Sequence, residues 1–248
     1  MRIYVGFDDT DTIDADRGTG KLARWFEEEL PEGCRLWGVV RQQLLVHEAI
    51  PYTSHNSSAC AVVEAAGPEA LPSLIARAVD HIERLSLPGS DPGLCVAREG
   101  DASLTALWEL GRRAATEVVT QADARAAARA VHLSGHGGTE DGIIGAAAAV
   151  GLTASGWSGR MIEYRGCLRS FPQSVAVADL EVCGMRVASI DRDAPLPAPG
   201  DRVDTQGWLR PRLWGGGAVL PVTQIGPGLW RSLGSKRRKG GGPGGSND

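Results

Sequence analysis

The sequence predicts an α/β protein, a mixed-sheet core with helices packed on it over residues 1–165 and a small β-rich region after it. Three observations carry this expectation. The apolar run Ile3 to Phe7 reads as a buried strand and empties into an acidic loop and a Gly-Thr-Gly turn that opens a helix. Between Glu69 and Leu85, the residues Leu71, Leu74, Ile75, Ala78, Val79, Ile82 and Leu85 recur at the i, i+3, i+4, i+7 spacing of an amphipathic helix. After residue 165 the pattern changes to short strand candidates separated by proline and glycine turns.

Taken in order, the strand Ile3–Phe7 is followed by a helix over Lys21–Leu30, with Leu22, Phe26 and Leu30 on one face and Pro31 and Gly33 ending it. Arg35–Val46 reads as a long strand and Ala59–Ala65 as a second, joined by the polar segment Pro51-Tyr52-Thr53-Ser54-His55-Asn56-Ser57-Ser58. The helix over Glu69–Leu85 carries His81, which reads as a surface or boundary residue because it has no acidic or histidine neighbour at i±4. A loop, Pro88 to Gly93, leads to a short strand at Leu94–Ala97. Leu104, Leu107, Trp108 and Gly111 mark another helix, and Thr120 with Asp123 is a capping pair ahead of a helix over Ala122–Ala130. The glycine-rich run Ser134 to Gly142 precedes Ile143-Ile144-Gly145 and four alanines; Thr139 is placed to cap that helix, and Gly145 and the alanines suit close packing. Strand candidates then follow at Gly159–Arg165, Ser174–Ala178, Met185–Ile190, Val203–Leu209 and Ala218–Thr223. Trp208, Trp214 and Trp230 read equally well as core or as an acceptor surface. The domain reading is therefore 1–165, 166–232 and a basic, glycine-rich tail at 233–248 that cannot build a core.

Composition narrows the function classes. The net charge of −4 over 248 residues argues against a chain wrapped around nucleic acid, without excluding a local basic patch such as Lys236-Arg237-Arg238-Lys239. No apolar stretch is long enough to span a membrane and no secretory leader is visible, so a cytoplasmic protein is expected. The five cysteines are too far apart for a Cys-x-x-Cys zinc site, no structural zinc is expected, and each is most simply a small apolar residue.

The chemistry concentrates in two places. Asp8, Asp9 and Asp11 crowd three carboxylates into four residues at a strand end, with Thr10 and Thr12 beside them. Hard oxygens at such density call for a cation, and Mg²⁺, which keeps waters and substrate phosphates in its remaining positions, is the natural one; a solvated loop that caps turns is the alternative. Gly18, Thr19, Gly20 and Lys21 lie at the following helix start, where free N–H groups and the helix dipole favour a phosphate, although the order of a P-loop is absent. His55 and Asn56 either line the same site or turn the chain. The second concentration, Gly137, Gly138 and Thr139 behind His136, is another anion-capable helix start; His136 is an acid, base or phosphate contact, or else structural.

Together, Gly6-Phe7-Asp8-Asp9-Thr10-Asp11-Thr12 with Gly18-Thr19, then Tyr52-Thr53-Ser54-His55-Asn56, then Gly142-Ile143-Ile144-Gly145-Ala146 closing with Ile162-Glu163-Tyr164-Arg165, resemble the archaeal tRNA(Ile) 2-agmatinylcytidine synthetase family. Asp91-Pro92-Gly93 is similar to that family's Asn-Pro-Gly element. The resemblance implies a kinase-like domain that uses ATP and Mg²⁺ to phosphorylate a cytidine oxygen of tRNA, which an amine, agmatine, then displaces. By position, Asp8, Asp9 and Asp11 would hold metal and phosphates, and Thr19 would be a phosphorylatable or phosphate-contacting hydroxyl. The sequence departs from the family at Tyr52, Ser54 and His55 in place of basic residues and at Glu140-Asp141-Gly142 in place of Gly-Arg-Gly. The cysteine zinc ribbon is missing and nothing after Arg165 matches. A smaller acceptor than tRNA is therefore a second expectation. An aspartyl-phosphatase, in which a strand delivers an Asp-x-Asp nucleophile, fits less well because Ile13 stands where Thr or Val is expected. A non-catalytic nucleotide-sensing or RNA-binding protein is the remaining rival.

Overall fold

The computed structural model describes residues 1–13, 15–50 and 56–234. In chain order the elements are β1 (Arg2–Asp8), α1 (Thr19–Trp25) running into a 3-10 turn at Phe26–Glu29, β2 (Cys34–Gln43), β3 (Ser57–Ala65), α2 (Leu71–Leu85), β4 (Gly93–Arg98), α3 (Leu104–Ala114), α4 (Gln121–Ala127), β5 (His132–Gly135), α5 (Gly142–Ala154) and β6 (Arg160–Tyr164). The remainder is β7 (Ser174–Ala176), α6 (Val177–Val182), β8 (Arg186–Ser189), β9 (Arg202–Asp204), β10 (Arg212–Trp214), β11 (Gly217–Gly226) and β12 (Leu229–Ser232). The class is α/β with strand pairings of both kinds. Contacts divide the chain into two units, Met1–Gly166 with Arg212–Ala218, and Cys167–Pro211 with the chain from Val219 on.

In the first unit the strand order is β5-β4-β1-β3-β2-β6-β10, and the described pairings are antiparallel. β1 lies inside the sheet between β4 and β3, and its Ile3, Val5 and Phe7 are fully buried on the face covered by α1 and α2. Antiparallel strands with one solvated face usually alternate apolar and polar residues, but β1 is buried without a break from Ile3 to Phe7 because both its faces are covered. Its other face receives α5, and the approach is close enough that a Cβ on Gly6 would lie 2.3 Å from the Ala146 carbonyl oxygen. α5 is buried on all sides, which its run of alanines and glycines permits. Gly151 lets α3 reach it, since a Cβ there would lie 2.0 Å from the Leu107 carbonyl oxygen.

The second unit orders its strands β11-β12-β9-β7, with β8 parallel to β11 and β12 parallel to β9. Trp230 is its largest buried side chain, and the indole Nε1 donates to Asp201 at 2.8 Å. Trp208 lies between two guanidinium groups, Arg210 at 4.0 Å and Arg169 at 5.0 Å from its ring.

Several expectations need correction. His81 is not a surface residue: it is 1% exposed, its ring lies against Phe7 and Phe26, and its Nε2 donates to the Leu22 carbonyl at 3.0 Å. Local spacing shows which helix face His81 occupies, but not that two phenylalanines close over it. The segment 132–135 pairs with β4 as a strand, a pairing that its short polar pattern hides. The strand expected over Ser174–Ala178 ends at Ala176 and gives way to a helix at residues 177–182, and the strand predicted over 203–209 ends at Asp204. Thr120 and Asp123 form the expected capping box. Tyr52, Thr53, Ser54, His55 and the basic run at 236–239 lie outside the described residues.

Burial lowers the His81 pKa, and Nδ1 has no partner among the described residues, so the ring is held neutral. The unfolded chain, whose histidines titrate near about 6.5, takes up a proton that the folded chain refuses. Stability is therefore retained above that pH and declines below it. In urea unfolding at pH 8 and pH 5, His81→Phe is expected to lose less stability on acidification than wild type; equal losses would show that the ring does not contribute to acid sensitivity.

Candidate functional site

A cavity of about 360 Å³ opens where β1 ends and β4 and α5 begin. The end of β1 delivers Asp8, the loop after it delivers Asp9 and Asp11, the loop that enters β4 delivers Asp91, and the start of α5 delivers Asp141, Gly142 and Gly145. Leu44, Ile50 and Val118 form an apolar wall. No lysine, arginine or histidine lies in the described lining, while Asp8, Asp9, Asp11, Asp91, Asp141 and Glu117 all do.

The glycines set this geometry. A Cβ on Gly93 would lie 2.0 Å from the Gly142 carbonyl carbon, and one on Gly142 would lie 2.3 Å from the Asp91 carbonyl oxygen. A Cβ on Gly145 would lie 1.7 Å from Asp8 Oδ2, so the Asp8 carboxyl rests against the first turn of α5. Asp9 turns the chain at φ 50°, a left-handed conformation that aspartate tolerates better than most residues.

Crowding shows in the acidities. Burial, with repulsion from Asp9 and Asp11 added, pushes the Asp8 carboxyl up to about 8. Burial, then Asp91, Asp11 and Asp141, pushes Asp9 up to about 6. These are oxygen donors held short of a positive partner.

Asp11 has a different role. Its Oδ1 accepts from the Thr19 amide and the Thr19 hydroxyl, both at 3.2 Å, and so occupies the first turn of α1. The Thr19 hydroxyl in turn accepts from Thr10 N at 3.3 Å and Thr10 Oγ1 at 3.1 Å. Thr19 lines the cavity at 6% exposure, with its proton directed at a carboxylate.

The structure thus brings Asp8, Asp9, Asp11, Thr19 and Asn56 to one cavity. Asn56 Nδ2 donates to the Leu45 carbonyl at 2.6 Å, which ties the end of β2. Thr10 is buried behind Thr19, and Gly18 packs beside the Asp11 carboxylate, 3.4 Å from a Cβ at that position. Gly20 abuts Ile162, and the Lys21 ammonium sits 5.0 Å over the Trp25 ring rather than in the cavity. His55 lies outside the described residues.

Gly137, Gly138 and Thr139 do not line the cavity. Thr139 does not cap α5; its amide (3.0 Å) and hydroxyl (2.6 Å) both donate to the Asp91 carboxylate. Gly138, at φ 56°, leaves room for that carboxylate. The first amides of α5 are also taken, Gly142 N by the Asp91 carbonyl, Ile143 N by Glu140 and Ile144 N by Asp141. His136 belongs to a chain in which its Nε2 meets Ser134 Oγ at 2.8 Å, Ser134 Oγ meets His132 Nε2 at 2.9 Å, and its Nδ1 meets Glu83 at 3.0 Å, which joins β5 to α2. Asp91 and Asp141 went unassigned in the sequence reading because they lie far from the first acidic loop along the chain. Gln121 helps fix the latter, donating to Asp141 Oδ1 and to the Thr139 carbonyl, each at 2.7 Å.

No protein-family model matches the sequence, and neither does any curated protein. Among solved structures the chain is similar to that of apo TiaS, an isoleucine-tRNA agmatidine synthetase, with 24% identity and a TM-score of 0.50. The match covers 61% of this chain and 35% of that one. It is also similar to TiaS in complex with that tRNA and ATP, with 23% identity and a TM-score of 0.52, covering 61% and 36%. The chain therefore spans about a third of the length of these proteins. The likeness is one of fold, and at that level it bears out the resemblance drawn from the motifs.

The Asp8 acidity gives a test without any ligand. Its folded pKa lies above its unfolded value of about 3.9, so the folded chain keeps a proton that the unfolded chain releases, and stability falls as pH rises from about 4 towards 8. In chelator-treated protein, Asp8→Asn is expected to match wild type near pH 4 and to gain on it as pH rises, by at most about 1.4 kcal/mol per pH unit. Denaturant titrations across that range measure the difference, and a constant offset would mean the carboxyl is not destabilised by its surroundings.

Proposed function

We propose that the chain is a cytoplasmic, ATP- and Mg²⁺-dependent phosphoryl-transfer enzyme that activates an oxygen by phosphorylation for attack by an amine. The observation that carries the reading is the cavity itself, where crowded carboxylates without a lysine, arginine or histidine in the described lining surround a nearly buried threonine hydroxyl. Its volume lies within the range of small-ligand sites.

The donor set fits Mg²⁺. Carboxyls whose pKa burial and crowding raise gain most from a divalent cation, and Asp8 and Asp9 would hold it, with Asp91 and Asp141 facing them. Among the described residues no three acidic, histidine or cysteine side chains form a ready-made metal cage. An ion held here would therefore take one or two carboxylates and complete its shell with waters and nucleotide phosphates. When bound, Mg²⁺ neutralises charge on the phosphates. The apolar wall of Leu44, Ile50 and Val118 suits a nucleobase. Thr19 donates its hydroxyl proton to Asp11, the pairing of a nucleophile with its base. If Thr19 receives the γ-phosphoryl group, its Oγ1–P bond forms as the bond to ADP breaks, and Asp11 takes the proton.

The acceptor is either an RNA, as in the tRNA complex of TiaS, or a small molecule. The absence of basic residues from the described lining favours a small acceptor within the cavity itself.

The test is product analysis with γ-labelled ATP and Mg²⁺, with and without bulk tRNA and agmatine. Asp8→Asn is expected to lower turnover on the order of 100-fold, and Thr19→Ala to abolish any label on the protein. Stimulation by tRNA and agmatine together identifies the tRNA-modifying version, and turnover indifferent to tRNA identifies the small-acceptor version. If wild type neither binds nor consumes ATP, the phosphoryl-transfer reading fails.

A further inference from the structure

Arg41 of β2 is the cross-strand partner of Arg160 of β6, and Arg160 is the partner of Arg212 of β10. Residues directly opposite on neighbouring strands share a face, and neighbouring strands lie about 4.8 Å apart. Three arginines therefore form a row across the sheet, each half-buried. Like charges placed directly opposite one another weaken a sheet, and nothing in the described chain offsets these. None of the three has a carboxylate within ion-pair distance among the described residues. Other arginines of this unit do, as in Arg35 with Glu64, Arg84 with Glu29 and Arg125 with Glu140. Burial and the Arg160 charge together lower the pKa of both Arg41 and Arg212, the response of cations that lack a counter-ion.

The row has a definite address. Arg41 lies two residues beyond Val39, and Arg160 two before Ile162, and both of those side chains join the core beneath α1 and α2. Ile162 is the residue against which Gly20, in the first turn of α1, is packed. The arginines thus carry that face past the start of α1. Arg41 Nε donates to Ser57 Oγ at 2.9 Å, and Ser57 lines the acidic cavity, so the row begins at the cavity rim.

We propose that Arg41, Arg160 and Arg212 form a phosphate-binding site beside the cavity, receiving the phosphate groups of a ligand that reaches into it. A guanidinium fork matches two phosphate oxygens, and a row of three suits an anion with more than one phosphate. The source is either a nucleotide's polyphosphate or the backbone of a single-stranded RNA. The proposal concerns binding, and it holds whether or not the cavity turns over ATP.

The experiment measures binding of two probes, a short fluorescein-labelled single-stranded RNA and a fluorescent non-hydrolysable ATP analogue with Mg²⁺. Both are titrated over a salt series against wild type, Arg160→Gln and Arg212→Gln, with thermal melts alongside. Arg160→Gln is expected to weaken at least one probe about ten-fold or more and, for RNA, to reduce the log–log salt slope by about 1. Because the substitution relieves repulsion, Tm is expected to hold or rise. Arg212→Gln, at the end of the row, gives the same readout should the central variant fold poorly. Loss of RNA binding alone upholds the site and assigns it to backbone phosphates; loss of nucleotide binding alone upholds it and assigns it to a polyphosphate. The proposal is overturned if wild type binds neither probe, or if both variants bind as wild type does with an unchanged salt slope, whatever their Tm.

Discussion

The first turn of α5 rests on the ends of β1 and β4 with backbone against backbone. Gly93 and Gly142 meet where a single added carbon would come within 2.0 Å of a main-chain atom, and Gly145 leaves a space that the Asp8 carboxyl fills. Two strand ends, a loop and a helix start are thereby held within one small volume, each contributing a carboxylate. A bulkier contact would separate α5 from the sheet and disperse Asp8, Asp91 and Asp141. Close packing in protein interiors leaves little slack to absorb even one methyl group at such a contact.

That convergence is unfavourable in the absence of a ligand. Carboxyls whose pKa is raised by burial and by one another destabilise the folded chain at neutral pH. The row of Arg41, Arg160 and Arg212 adds a second like-charged group, of opposite sign, on the same unit. The stability that offsets both comes from the apolar centre of the sheet, where Ile3, Val5, Phe7, Val39, Ala61 and Val63 are buried beneath α1 and α2. Acidic and basic groups each crowded among their own kind on one sheet are groups whose repulsion a ligand of complementary charge would relieve. Polar support around it is dense. Thr10, Thr19 and Asp11 form one connected group, and Asp91, Thr139, Asp141 and Gln121 another, so the acidic side chains are held in position before any ligand arrives.

Much of this was legible along the chain. Ile3–Phe7 reads as a strand because its apolar run is short and stops at a turn, and the helix at Leu71–Leu85 reads as a helix because its apolar positions recur every three or four residues. Asp8, Asp9, Asp11 and Thr19 stand out by density, as acidic and hydroxyl groups crowded at a strand end, and all four line one cavity. Local patterns of this kind depend on neighbours within one or two turns, which the sequence displays directly.

What the sequence could not display were contacts between residues far apart along it. His81 is buried because the rings of Phe7 and Phe26 close over it, although its own helix positions leave its surroundings open. Thr139 has the residue type and place of a helix cap, yet the Asp91 carboxylate, 48 residues earlier, takes its hydroxyl. The arginine row is invisible in one dimension because Arg41, Arg160 and Arg212 become neighbours only when β2, β6 and β10 pair in register. By itself the sequence determined most of the first unit's helices and strands, the acidic loop and the threonine beside it, because propensity and periodicity act locally. The tertiary structure alone decided which carboxylates share a cavity and which cations face one another, because electrostatic and steric energies depend on distance in space.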